Sequence, residues 1–126
     1  MAYHYTPIAV TATSDGLTTG VIPNDAGAPG YFVSVTSASA NNIITLPSSD
    51  DIPVGWTCRG YIGANGCEMR TVASSNETIN GVDADGTQEA ALPATTLFEV
   101  TKVAADTFIL NIVDEGGDEA TAPIPD

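Results

Sequence analysis

The sequence predicts an all-β, single-domain protein, an antiparallel β-sandwich or β-barrel of about eight short strands that is expected to be oligomeric. Three observations predict it. Short apolar runs alternate with polar residues at the two-residue period of a half-buried strand. Turn signals punctuate them at close intervals: Ser14-Asp15-Gly16, Asn41-Asn42, Asn65-Gly66 and the paired stops Leu46-Pro47 and Leu92-Pro93. No segment shows a convincing amphipathic-helix pattern. With 126 residues, 43% hydrophobic and 15% charged, the chain has the size and composition of one globular domain.

Residues 1–7 (MAYHYTP) precede the first alternating run and read as an N-terminal arm, with residues 8–113 as the β domain. Ile8 to Thr13 is the first strand, and Ser14-Asp15-Gly16 signals a hairpin returning through Leu17 to Ile22. After the loop Pro23 to Gly30, Tyr31 to Ala38 alternates so that Val33 and Val35 mark the buried side. Ile43 to Leu46 ends at Pro47, and Pro53-Val54-Gly55-Trp56 launches the next strand. With Asn65-Gly66 as the central pair, Thr57 to Val72 forms a hairpin. One face carries Cys58, Gly60, Ile62, Cys67 and Met69, and the other Arg59, Tyr61, Glu68 and Arg70. Leu97 to Val103 and Thr107 to Val113 form a terminal hairpin around Ala104-Ala105-Asp106. Both parities of these last strands are apolar, which implies cover on both sides, and a subunit interface is an economical cover for so small a chain. Residues 114–126, DEGGDEATAPIPD, read as an acidic flexible tail.

Sixteen acidic residues against three basic ones give a formal net charge of −13, which opposes contact with phosphate backbones. No apolar run approaches the ~20 residues of a membrane span, and no basic segment followed by an apolar run opens the chain. Neither nucleic acid nor membrane is therefore an expected partner.

Sites of chemistry are few. One histidine, His4, lies among tyrosines and is read as a contact residue, since a histidine-based triad or multi-histidine metal site needs more. Cys58 and Cys67 fall too far apart along the expected hairpin for a bridge, so buried free thiols are expected. Asp83, Asp85 and Glu89 resemble the start of a calcium loop, but the third early oxygen ligand is missing and an Asx-type turn is the preferred reading. Gly27-Ala28-Pro29-Gly30 lacks the lysine and helix of a phosphate loop. Trp56 is expected to anchor a core or an interface. No nucleophile has an evident base, so no enzyme and no cofactor are expected.

The stretch Ile43 to Val82, with its strand, Leu46-Pro47 stop, Pro53-Val54-Gly55-Trp56 restart and Asn65-Gly66 turn, resembles small virion structural proteins of tailed bacteriophages. The resemblance extends through Ser75 to Thr87, Leu92-Pro93-Ala94-Thr95-Thr96 and Phe108-Ile109-Leu110, and related strand-Leu-Pro patterns occur in phage tail fibres and tailspikes. It implies a head decoration, or cement, protein, assembled in the host cytoplasm and bound to the outside of the capsid at capsomer junctions. The partner would be the major capsid protein, with Tyr3, His4 and Tyr5 as candidate capsid contacts. Trp56, Arg59, Tyr61 and Arg70 would be candidates for the interface of a homotrimer or homodimer. The alternative it leaves open is a receptor- or glycan-binding domain of a tail fibre or surface appendage.

Overall fold

In the computed structural model, residues 5–86, 88–118, 120 and 123–126 are described. Among these residues ten strands form two sheets. The larger has seven strands in the order β1 (Thr6–Thr11), β2 (Tyr31–Thr36), β4 (Thr57–Ile62), β9 (Thr96–Ala104), β10 (Thr107–Val113), β6 (Thr78–Ile79) and β7 (Val82–Asp83). The smaller has β3 (Ile43–Thr45), β5 (Cys67–Arg70) and β8 (Ala90–Leu92). The sheets pack as a sandwich around one core, and the larger sheet ends at β1 and β7 without closing into a barrel.

The chain path is a coil. From β2 it crosses to β3, returns as β4, and crosses again to β5, so that β2 and β4 pair in parallel in one sheet while β3 and β5 pair in parallel in the other. An earlier turn lies beneath: β1 pairs in parallel with β2, and residues 13 and 21 bridge to β3 at Ile43 and Thr45. This arrangement is solenoid-like, and it corrects the all-antiparallel expectation. The antiparallel strands β8 and β9 then lie along β5 and β4 and close the top of the coil.

Two expected hairpins are not formed. Asp15 takes up the first turn locally, its Oδ1 accepting from Leu17 N and Thr13 Oγ1 at 3.0 Å each. The chain then kinks through Thr18, at φ 58°, into a single 3₁₀ turn, Thr18–Gly20. Only Val21 regains a bridge, so residues 17–22 do not return along β1. Gly16 sits against Ile43 and Thr45, and Thr45 Oγ1 donates to its carbonyl at 2.7 Å, which covers β3 from outside. Asn65-Gly66 does turn the chain, but from one sheet into the other: β4 pairs with β2 and β9, and β5 with β3 and β8. The alternation survives the change of partner. Cys58, Gly60, Ile62, Cys67 and Met69 are buried, while Arg59 and Tyr61 are exposed and Glu68 and Arg70 half-buried.

Other expectations hold. Val33 and Val35 are fully buried. The Leu-Pro stops end β3 and β8, and the turn that brings Trp56 N to Pro53 O at 3.1 Å, with Gly55 at φ 96°, precedes β4. The terminal hairpin β9–β10 is antiparallel throughout, with one irregularity at Thr107/Phe108. Both ends of the chain are more engaged than expected. Thr6 and Pro7 belong to β1, because Thr6 N reaches Gly30 O at 2.7 Å and the ladder with β2 begins there; they are not arm. Downstream of β10, Ala120 N donates to Ile112 O at 3.1 Å, Asn80 Nδ2 donates to Pro123 O at 2.6 Å, and Pro125 is buried.

The inner side of the larger sheet is organised in columns. Ile8, Val33, Gly60, Phe98 and Ile112 are successive cross-strand neighbours. Gly60 is required there, since a Cβ would fall on the Phe98 ring and on the Val33 carbonyl. Gly60→Ala is expected to lower stability by about 1–3 kcal/mol through overpacking, read from urea unfolding with an unchanged slope; a loss near zero would contradict this packing.

Candidate interaction surface

The outward side of the larger sheet is built by the same alternation that fills the core. Its cross-strand rows run Ala9, Ser34, Tyr61, Leu97, Val113 and, beside them, Arg59, Glu99, Asn111. Tyr61, Leu97, Val103 and Ile109 are exposed, with Leu97 at 49%. Arg59 Nε and Glu99 Oε2 form an ion pair at 2.7 Å between directly opposed residues of β4 and β9. Thr57 and Thr101, opposed in the next row, share a hydroxyl contact of 3.0 Å. No element of the chain lies on the apolar row, so the cover expected on both sides of β9 and β10 is not supplied from within the described residues.

Two grooves cross this face. One of about 320 Å³ is lined by Phe32, Arg59, Leu97, Glu99, Asn111 and Val113, together with Gly60 and Phe98. A larger one, about 750 Å³, shares Phe32 and Arg59 and adds Tyr5, Tyr31, Thr57 and the loop Gly27 to Gly30. Three aromatic side chains thus gather beside a guanidinium, although they come from residues 5, 31 and 32.

Of the candidate capsid contacts, Tyr3 and His4 lie outside the described residues, and Tyr5 is 64% exposed at the groove rim. The interface candidates divide. Arg59 and Tyr61 stand on the open face. Trp56 does not: it is buried, its indole N–H donates to Asn24 O at 2.8 Å, and its ring lies against Gly27, where any side chain would collide with it. It is a core anchor and not a residue of the open face. Arg70, on the smaller sheet, is half-buried and donates from Nη2 to the Asp15 carbonyl, holding the loop over β3 rather than facing a partner.

The acidic loop takes the Asx form. Asp83 Oδ1 accepts from Asp85 N at 3.1 Å, and Asp85 Oδ2 accepts from Asn76 N at 2.6 Å. The Asn76 amide is the main cause holding the Asp85 carboxyl below its ordinary value. Among the described residues no three His, Cys, Asp or Glu side chains are grouped to hold a metal ion, and Asp83, Asp85 and Glu89 do not form such a group.

Sequence reasoning missed a buried polar hub. Lys102 occupies an inward position of β9 after Phe98 and Val100, and its Nζ donates to the carbonyls of Ser49 at 2.7 Å and Ile52 at 2.8 Å. Ser49 N donates to the buried Glu77 carboxylate at 2.6 Å, and Ser49 Oγ accepts from Asp106 N at 2.9 Å. A lysine at an inward parity was the available signal. The hub fixes the 3₁₀ turn Ser49–Asp51 beneath the β9–β10 turn, which orients the edge of the open face. It also withdraws one of the three basic residues from the surface.

No family model, curated protein or solved structure matches this chain.

Cys58 and Cys67 are free and buried, on β4 and β5 of different sheets, with both thiols pushed up to about 12 chiefly by burial. A folded-state value above the ordinary 9.0 means that the unfolded chain loses its thiol protons first. The thiols' contribution is therefore whole below pH 9.0 and is lost as pH rises towards about 12. Titration with an aromatic disulfide reagent at mild alkaline pH is expected to label neither cysteine in the folded protein and both after denaturation. Rapid labelling of the native chain would contradict their burial.

Proposed function

We propose that this chain is a non-enzymatic head decoration, or cement, protein of a tailed bacteriophage, bound to the outer surface of the capsid. The observation that carries the proposal is the division of its surface. Every basic residue is already engaged: Lys102 inside the fold, Arg70 on the Asp15 carbonyl and Arg59 on Glu99. Across β4, β9 and β10 one face of the larger sheet carries exposed apolar side chains and a single acid, Glu99, already paired, while the chain as a whole has a formal net charge of −13. Such a body suits attachment by shape and charge outside a shell, away from packaged nucleic acid. Binding only to the expanded lattice would stabilise it by linkage, and many symmetric copies would act together.

A glycan- or receptor-binding module of a tail fibre or surface appendage is the second reading, and one observation favours it. The groove bearing Tyr5, Tyr31, Phe32 and Arg59 combines aromatic faces with a hydrogen-bonding fork, as sugar recognition requires. This groove is where a glycan would sit.

Cryo-electron microscopy with quantitative protein staining of the phage that encodes the chain separates these readings. Decoration predicts many ordered copies on the shell, with occupancy abolished by deleting residues 2–5 while the fold is kept. A few copies at the tail, with glycan binding lost in Tyr31→Ala, would favour adhesion. Absence from the particle would overturn both.

A further inference from the structure

We propose that the open face of the seven-stranded sheet is the contact between two copies of this chain, related by a two-fold axis that passes beside the Arg59–Glu99 pair. The inference rests on the reading of the chain as a protein that works by contact, and it goes further by naming the face, the partner and the symmetry.

Charge selects the occupant. The chain carries 16 acidic residues, yet the outward residues of β4, β9 and β10 include only one, Glu99, and it is matched by Arg59 at 2.7 Å. A basic partner would be drawn to the acidic surfaces and would gain nothing here. A second copy faces the opposite problem: two bodies of formal charge −13 repel through most orientations, and this neutral face is where they can meet without setting acid against acid. About the proposed axis the ion pair is self-complementary, since Arg59 of each subunit then faces Glu99 of the partner subunit.

Shape agrees. Tyr61 and Leu97 are direct cross-strand neighbours, Leu97 and Val113 are the next, and beyond the Arg59–Glu99–Asn111 row Ile109, opposite Thr101, is a second apolar point. Strands about 4.8 Å apart give these rows a nearly flat footprint, and two such sheet faces pack at ~10 Å with interdigitated side chains. The groove of about 320 Å³ beside Leu97 and Val113 offers space for a side chain of the second copy.

Sedimentation equilibrium and light scattering of the purified full chain test this, free of any particle. The expected result is a mass of two chains, with association strengthened by added salt because screening relieves the net repulsion. Leu97→Asp is expected to weaken the dimer roughly a hundredfold, as loss of a central anchor does, and its circular dichroism should be unchanged because Leu97 is already half-exposed in the single chain. Arg59→Glu and Glu99→Arg should each dissociate the dimer, and mixing the two variants should restore it as a heterodimer. A single-chain mass at every concentration, a mass of three chains, a dimer untouched by Leu97→Asp, or no recovery on mixing the charge variants would each overturn the proposal. None of these outcomes bears on occupancy of the virion, which is read on the particle.

Discussion

The handover of the chain from one sheet to the other at each corner is the constraint on which the structure depends. A strand that leaves the larger sheet must carry its backbone groups around a bend where neither sheet can satisfy them. Here each corner bonds to the corner of the preceding turn. Asn42 Nδ2 donates to Ala12 O at 3.5 Å, Gly63 N to Val35 O at 3.0 Å, and Asn65 Nδ2 to Ser37 O at 2.8 Å. The last corner follows suit, with Thr95 N donating to Ile62 O at 3.0 Å, a contact that requires Thr95 at φ 56°. For a β-branched residue that conformation is costly. Once the corners stack, β1, β2 and β4 must run in parallel, and the interior columns follow from that register.

Stacked turns also decide where charge can go. Parallel strands in a coil bring equivalent positions into columns, so an inward position is inward at every level. Gly60 makes room for Phe98 in one such column. Lys102 breaks the apolar rule in another and is tolerated because two carbonyls, of the first residue of a 3₁₀ turn and of the residue that follows it, accept from its Nζ. With that lysine inside and Arg70 tied to a loop, Arg59 is left to neutralise Glu99 on the open face. The neutrality of that face is thus a consequence of the register between β4 and β9, which places the two residues opposite one another.

Side-chain parity was legible in the sequence, and strand partnership was legible only for the terminal hairpin β9–β10. Val33, Val35, Cys58, Ile62 and Met69 are inward as their alternation required, because the two-residue period is a property of the strand itself. The Asn65-Gly66 turn was legible as a turn, but whether a turn joins neighbours in one sheet or carries the chain to another depends on which older strand is waiting, and that is non-local. Residues 17–22 differ for a local reason: Asp15 and Thr18 impose a turn that outweighs the hairpin signal. No repeat announced the coil: Ile8, Val33 and Gly60 stack although they share no residue type. Of the surface, Arg59 and Tyr61 could be found from parity, whereas Glu99 and Leu97 joined them only through the pairing of β4 with β9, and Trp56 was claimed by the Pro23 to Gly30 loop.

Cross-strand backbone nuclear Overhauser effects test the stacked coil most directly. The account predicts contacts between Val33 and Gly60 and between Ile43 and Glu68, with the pattern of parallel strands, and Gly60 also beside Phe98. A continuous antiparallel ladder joining Gly60 to Thr71 across Asn65-Gly66 would contradict it.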